Sequence, residues 1–380
     1  MSVLERKPRM ESLDCLRGLI IALMALDHAR DHAFTGGFDP LLVGRTTAAI
    51  FFTRWVTHIC APLFVFLSGT SAFLYLSKGR MKTELSAYLI KRGAILLVLE
   101  IFYMSRWFTL SMDGILLQVL WVFGVSMVVL AGLVWLPDRA IFAFGISMVL
   151  GHNLLDGILL GPDSPFFIPW TLLHQGDRTI SLSPTLSCRL LYPLIPWVGL
   201  MALGYLFGSV MLMEKDRRVK VILRLGFWMT AAFIVLRAAN VYGDPHTWVL
   251  RDNSFQTLPD FINCEKYPPS LLFLLMTMGP GLILLGLLEK GVPRFARPLR
   301  VFGGVPLFFY LIHVPVIVGL AAVFSFLLKG SSVEVAVFDP DLSLRWVYLV
   351  WLGCLAITYP VCRWYALLKK EKNWGWMKYI

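Results

Sequence analysis

Long apolar runs follow one another from residue 13 to residue 368 and are separated by short polar segments. Each run is about 20 residues long, the length that an α-helix needs to cross the hydrocarbon core of a bilayer. The runs are continuous rather than alternating, which excludes an outer-membrane β-barrel. The pattern predicts an all-α, polytopic integral membrane helix bundle with about ten transmembrane helices, forming a single domain over residues 1–380. The predicted spans are residues 13–33, 59–77, 88–108, 115–136, 138–160, 190–212, 219–241, 268–289, 300–327 and 344–368.

Composition supports a membrane protein, because 57% of the 380 residues are apolar, 16% are charged and the mean hydropathy is +0.70. These values exclude soluble, disordered and disulfide-rich classes. The formal net charge of +11 comes largely from Lys and Arg in segments that an even number of spans places on one side. This asymmetry follows the positive-inside rule and predicts both termini in the cytoplasm, in a bacterial inner (plasma) membrane. It also predicts contact with anionic lipids and no nucleic-acid partner.

The first predicted helix carries ionisable residues that lipid does not accommodate: Arg17, Asp27, His28 and Asp31. A charge at a helix centre costs about 2.5–3.5 kcal/mol on insertion scales, so these side chains should face protein, water or a ligand. Arg17 and His28 lie on nearly the same helix face, about 16 Å apart along the axis. Asp27 or Asp31 is near enough to hold one imidazole nitrogen of His28. The structural alternative is that Asp27, Arg30 and Asp31 pair among themselves.

Two further histidines lie at predicted membrane depth. His58 precedes the second span, in which Ser68, Gly69 and Thr70 are small enough to admit a ligand or a neighbouring backbone. Ordinary packing between helices explains the small residues equally well. His313 lies near the middle of the ninth span, where a functional role and the role of a hydrogen-bonded core residue are both open.

The two longest predicted outer loops, residues 161–189 and 242–267, are candidates for substrate recognition. The second loop contains Asp244, His246 and Lys266, for which substrate binding at the rim and a structural role are both open. The sequence contains no zinc-ligand spacing, Walker loop or Gly-x-Ser-x-Gly elbow, so we expect no metal cofactor.

Each of these loops also contains one cysteine, Cys188 in the first and Cys264 in the second. The two thiols form a disulfide or stay unpaired according to their distance, which the sequence does not give.

Several motifs resemble those of the transmembrane acyltransferase superfamily. This superfamily includes the acetylases of bacterial O-antigen and peptidoglycan and the lysosomal heparan-alpha-glucosaminide N-acetyltransferase. A closer resemblance is to bacterial membrane proteins described as heparan-alpha-glucosaminide N-acetyltransferase-like. The residues that carry the superfamily resemblance are Arg17 separated by ten residues from His28, the small-residue segment 64–70 and Tyr-Leu-Ile-His at 310–313. The closer resemblance is carried by the segments 16–31, 57–62 and 266–272.

The resemblance implies transfer of an acyl group, usually acetyl, from cytoplasmic acetyl-CoA. The implied acceptor is an amine or hydroxyl of a sugar or glycan on the outer side. Arg17 and His28 match the essential pair of the superfamily, and the catalytic histidine of the lysosomal enzyme corresponds to either His28 or His58.

Imidazole chemistry agrees with acyl transfer, which needs a base for the acceptor or a nucleophile to carry the acyl group. We expect His28 to fill this role, with Asp27 or Asp31 as its orienting carboxylate and His58 as a second catalytic group. The residues expected to contact the acyl donor are Arg17, Ser68 and His313, the last by lining the thioester path or binding its carbonyl oxygen.

The competing hypothesis is a proton- or anion-coupled membrane transporter, because intramembrane Asp, His and Arg also mark ion pathways. The sequence leaves open the acceptor, N- or O-acylation, an acyl-histidine intermediate and assembly into a homo-oligomer.

Overall fold

The computed structural model describes residues 10–34, 36–251, 253–330, 332–372 and 374–380. Residues 1–9, which belong to the predicted cytoplasmic N-terminus, lie outside the described residues. The described part is mostly helical, as predicted. The helices are α1 (Glu11–Ala33), α2 (Ala48–Leu76), α3 (Lys82–Leu99, continued by a π-helical turn at Glu100–Met104 and an α-helical turn at Ser105–Thr109), α4 (Val119–Leu133), α5 (Asp138–Gly151), α6 (Phe167–Leu173), α7 (Ile195–Phe207), α8 (Lys215–Ala239), α9 (Ser254–Ile262), α10 (Leu271–Lys290), α11 (Leu299–Gly304), α12 (Pro306–Lys329), α13 (Val333–Phe338) and α14 (Leu344–Lys372).

Six helices in the described ranges are long and apolar enough to cross a membrane: α2, α8, α10, α12, α14, and α7 with the turn that follows it. The protein is therefore an integral membrane protein of several spanning helices, while the count of ten stays a prediction. Helix α1, with 23 residues, has the required length but carries the ionisable residues described above.

A small sheet interrupts the predicted all-helical architecture. Its strands are β1 (Gly114–Leu117), β2 (Arg178–Ser183) and β3 (Leu186–Leu190), in the order β1-β3-β2. Strand β3 is parallel to β1 and antiparallel to β2. The start of the predicted span 115–136 is thus a strand, because a few apolar residues do not distinguish a buried strand from a helix. The predicted spans 138–160 and 190–212 also include residues outside helices, 156–160 and 191–194.

The six cysteines are all buried, free thiols. Cys188 lies in β3 and Cys264 lies between α9 and α10, and the structure does not join them. Among the described residues, no group of three or more His, Cys, Asp or Glu side chains is arranged to hold a metal ion.

Helix α1 lies at the centre of the bundle, in contact with α2, α10, α11, α12 and α14. Its approach to α11 depends on two glycines. A Cβ atom on Gly303 would lie 1.8 Å from the carbonyl oxygen of Asp14, and one on Gly18 would lie 1.9 Å from that of Leu299. The two backbones therefore touch directly near the start of α1, which places Arg17 beside the junction of α11 and α12.

Candidate active site

Two predicted site histidines from distant parts of the chain form a pair. His28 on α1 and His313 on α12 are 285 residues apart, and Nδ1 of His28 lies 2.6 Å from Nε2 of His313. Their rings are stacked, with centroids 4.9 Å apart, and Phe108 packs edge-on against His28. His313 is completely buried and His28 is partly buried. We call these two residues the histidine pair.

The hydrogen bonds of His313 determine the proton positions in the neutral pair. Nδ1 of His313 lies 2.7 Å from the carbonyl oxygen of Tyr310 and 3.2 Å from that of Phe309. Carbonyl oxygens only accept, so Nδ1 carries a proton and donates it. In a neutral His313 ring Nε2 is then an acceptor, and Nδ1 of His28 donates to it. Nε2 of His28 therefore keeps its lone pair, as a general base or a nucleophile requires.

The predicted contact between His28 and Asp27 or Asp31 is absent from the described structure. Asp27 instead accepts hydrogen bonds from Arg54 at 2.7 and 2.5 Å and from Arg30 at 3.1 Å, and Asp31 also binds Arg30. Guanidinium groups are fully charged donors and bind a carboxylate more strongly than a neutral imidazole does. Asp27, Arg30, Asp31 and Arg54 form the ion-pair cluster, and His313 takes the position beside His28 that we expected a carboxylate to occupy.

His58 lies close to the ion-pair cluster but is separate from the histidine pair. Its side chain is 1% exposed, and neither ring nitrogen has a hydrogen-bond partner among the described residues. The ring packs on Phe273 with centroids 5.2 Å apart. Arg54 of the ion-pair cluster precedes His58 by four residues on the same helix. A second catalytic role for His58 stays a prediction.

Arg17 and Ser68, two of the predicted donor contacts, line the same cavity of about 280 Å³. Arg17 donates to the hydroxyl of Ser71 at 2.6 Å, which holds its guanidinium at the wall. The cavity extends to Met24 and Tyr310, which precede His28 and His313 by four and three residues. It therefore ends about one helical turn from the histidine pair. Most of its remaining lining is apolar or aromatic: Phe64, Ala72, Tyr75, Tyr88, Leu89, Leu96, Val119, Leu120, Phe123, Met127, Pro306 and Leu307. We call it the apolar cavity.

A second cavity, of about 800 Å³, adjoins the first, since Gly304 lines both. Five cations line it: Arg294, Arg297, Arg300, Arg363 and Lys370. Its two acidic residues both have cationic partners, since Glu11 pairs with Arg300 and Asp14 pairs with Arg17 at 3.3 Å. We call this the basic cavity. The sequence did not predict this cavity, because its cations come from two distant segments. The positive-inside rule explains the cations of each segment taken alone.

The carboxylate of Asp244, a loop residue predicted to bind substrate, is hydrogen-bonded to other residues of the chain. Its carboxylate accepts from the hydroxyl of Ser270 at 2.6 Å and from the backbone N–H of Glu265 at 2.9 Å. His246 is a surface residue, and its Nε2 lies 3.3 Å from the Glu265 carboxylate. Burial raises the pKa of Glu265. Asp244 therefore holds the loop against the start of α10, and substrate contact by it would require breaking these bonds.

Lys266 differs from its neighbours because it is buried without an acidic partner within 4 Å among the described residues. Its ammonium lies 5.1 Å from the ring centroid of Tyr267 and 6.0 Å from that of Tyr192. Aromatic faces attract a cation without neutralising it. Among these three predicted loop residues, Lys266 is therefore the one best placed to pair with an anionic group.

Comparison with protein families identifies the family to which the chain belongs. The profile described as heparan-alpha-glucosaminide N-acetyltransferase, catalytic, matches residues 9–241, more than half of the chain. The match contains Arg17, His28 and His58 and ends before α12, which carries His313. The comparison with curated proteins finds no match. The chain therefore belongs to the heparan-alpha-glucosaminide N-acetyltransferase catalytic family, whose members are membrane acetyltransferases.

Proposed function

We propose that the protein transfers an acetyl group from cytoplasmic acetyl-CoA to an amine or hydroxyl of a sugar or glycan on the opposite side of the membrane. One observation carries this proposal. The apolar cavity runs along α1 from Arg17 to about one turn from the histidine pair, in which Nε2 of His28 keeps a lone pair. A group delivered through the cavity therefore arrives beside a base.

The shapes of the two cavities suit the two parts of acetyl-CoA. The thioester arm is narrow and fits the apolar cavity, whereas the nucleotide end carries several phosphates. The basic cavity offers five cations against two carboxylates, and arginine forks match phosphate geometry. We therefore assign the nucleotide end to the basic cavity. The side chain of Arg92 also lines the apolar cavity and adds a further cation.

In the proposed reaction, Nε2 of His28 removes the proton from the acceptor, whose nitrogen or oxygen attacks the thioester carbonyl carbon. The departing thiolate then takes the proton from His28. Nδ1–H of His28 stays bonded to His313, which orients the ring and disperses the charge that His28 gains. His313 thus acts as the carboxylate does in a serine–histidine–aspartate triad. The same lone pair also serves if His28 first carries the acetyl group itself.

The proposed reaction requires one orientation of the protein in the membrane. The end of the bundle with the basic cavity faces the cytoplasm, where the positive-inside rule concentrates Lys and Arg. Both termini lie on that side, and the ion-pair cluster and Lys266 lie toward the acceptor. We propose the bacterial inner membrane as the location and anionic lipids as surrounding partners.

Purified protein in nanodiscs, supplied with radiolabelled acetyl-CoA and crude envelope glycans, tests the proposal. We expect label on glycan with wild type and with Arg345→Gln, an exposed surface variant that lines neither cavity, and no label with His28→Gln. Label loss in His58→Gln with His28→Gln active would move the base to His58. Absence of transfer by folded wild type from any acyl-CoA, together with solute flux in proteoliposomes, would favour a transporter.

A further inference from the structure

Acyl transfer needs a hydrogen-bond donor for the thioester carbonyl oxygen, on which negative charge develops. His313 was expected to supply it. Both of its ring nitrogens are already engaged, Nδ1 with the carbonyl oxygens of Tyr310 and Phe309 and Nε2 with His28. The donor must therefore be another group near the end of the apolar cavity.

Tyr310 has the required position. It lines the apolar cavity, and its ring centroid lies 6.3 Å from that of His28 and 5.4 Å from that of His313. The residue is 6% exposed, yet its hydroxyl has no hydrogen-bond partner in the described part of the chain. A buried hydroxyl without a partner costs stability, so its presence beside a cavity indicates a partner that arrives with the ligand.

We infer that the Tyr310 hydroxyl donates a hydrogen bond to the thioester carbonyl oxygen of the acyl donor and is a catalytic residue of the proposed acyl transfer. The inference rests on the proposed function. Tyr310 lies outside residues 9–241, so the family match does not assign it.

The hydroxyl acts at one point of the reaction. As the acceptor nitrogen or oxygen forms its bond to the carbonyl carbon, the π electrons of the C=O bond move onto oxygen. The Tyr310 O–H strengthens its bond to this oxyanion without giving up its proton. When the C=O bond re-forms, the carbon–sulfur bond breaks, and the thiolate leaves with that electron pair and takes the proton held on His28.

The competing reading is structural, with Glu100 as the partner of Tyr310. Glu100 is buried, its Oε1 accepts from the backbone N–H of Gln118 at 2.5 Å, and its Oε2 has no partner among the described residues. The Tyr310 hydroxyl and Oε2 of Glu100 are not hydrogen-bonded to each other. A bond between them would contribute to folding and leave the turnover number unchanged.

Tyr365 supplies a matched control. It is 4% exposed, its hydroxyl also lacks a partner among the described residues, and it stacks on Phe308 with centroids 4.0 Å apart. It lines neither of the two cavities. Both tyrosines can be changed to phenylalanine, which removes one oxygen and keeps the ring.

The test measures kcat and KM for acetyl-CoA in wild type, Tyr310→Phe and Tyr365→Phe. We expect kcat to fall about 100-fold in Tyr310→Phe with KM nearly unchanged, and to stay near wild type in Tyr365→Phe. Binding of S-ethyl-CoA, which lacks the carbonyl, should be equal in all three. Wild-type kcat in Tyr310→Phe, or an equal loss in Tyr365→Phe, would overturn the inference while leaving the proposed function intact.

The infrared spectrum of bound acetyl-CoA with a ¹³C-labelled carbonyl gives a second measurement, the carbonyl stretching frequency, which a change in protein stability alone does not alter. A hydrogen bond from Tyr310 lowers the carbonyl stretching frequency in wild type, and Tyr310→Phe should return it toward the value in solution. An identical frequency in the two proteins contradicts the inference. Absence of acetyl transfer by wild type would be a different result, because it would contradict the proposed function itself.

Discussion

The two ends of α1 both carry charges, but the charges have different partners. Toward its last turn, Arg30 donates to both Asp27 and Asp31, and Arg54 donates to Asp27, so the ion-pair cluster is closed. Toward its first turns, Arg17 lines a cavity beside a second cavity in which cations outnumber carboxylates. In the sequence, both ends of the helix are equally good candidates for a ligand site. The difference teaches that intramembrane charge density alone does not locate a ligand site, whereas charges around open space do.

The histidine pair lies between these two ends and belongs fully to neither. Its hydrogen bonds run to α12 and not to the ion-pair cluster. The cluster therefore acts as the scaffold that holds α1 against α2, and the cavity end supplies the space for the donor. Each of the following changes perturbs one of these parts and should leave the others intact.

The largest effect should come from the histidine pair. His28→Gln removes the lone pair at Nε2 and should lower kcat for acetyl transfer about 1,000-fold. His313→Gln keeps a polar group beside Nδ1 of His28 and should cost less. Because the two rings act as a unit, the double variant should resemble His28→Gln alone. Measured kcat values that multiply in the double variant would show that the pair is not a unit.

Breaking the ion-pair cluster should affect folding more than chemistry. Asp27→Ala leaves Arg54 and Arg30 buried without their shared carboxylate and should lower the free energy of unfolding by about 3–5 kcal/mol. The control is Asp31→Ala, whose carboxylate is 46% exposed and should contribute less than about 1 kcal/mol. Reversible unfolding in mixed micelles measures both. Equal stabilities of the two variants would contradict a closed scaffold at this end.

Filling the apolar cavity should affect donor binding. Ser68→Phe places a ring in the cavity that Arg17 and Tyr310 also line and should raise KM for acetyl-CoA about 10-fold, equal to about 1.4 kcal/mol. Ser77→Phe, on an exposed turn at the end of the same helix, is the control. Unchanged KM in Ser68→Phe, with the protein folded, would place the donor elsewhere.

The smallest effect should come from single cations of the basic cavity. Arg363→Gln should raise KM for acetyl-CoA about threefold at low salt and less at high salt, since partly exposed charges are screened. Acetyl-pantetheine, which has no nucleotide end, should be unaffected. Arg345→Gln, an exposed cation at the opposite end of α14, is the control. Equal effects on both substrates would exclude phosphate binding at this cavity.

Much of the fold was predictable because membrane-spanning helices are a local property. The predicted span 13–33 matches α1, and 219–241, 268–289 and 344–368 lie within or nearly within α8, α10 and α14. The placement of Arg17 and Ser68 on one cavity was also expected. The sheet was not, because β1 pairs with a strand more than 70 residues later, and a hydropathy pattern carries no information on pairing.

The sequence by itself determined most of the helical segments, which side chains lipid would reject and the family to which the chain belongs. Apolar run length and helix periodicity specify the first two, because both depend only on neighbouring residues. Tertiary structure alone decided the partners. In the folded protein, His28 bonds to His313 rather than to Asp27, and Asp27 binds Arg54. The Tyr310 hydroxyl lies beside a cavity and has no hydrogen-bond partner among the described residues. Such pairings depend on how helices far apart in the chain pack together, and no local pattern records that packing.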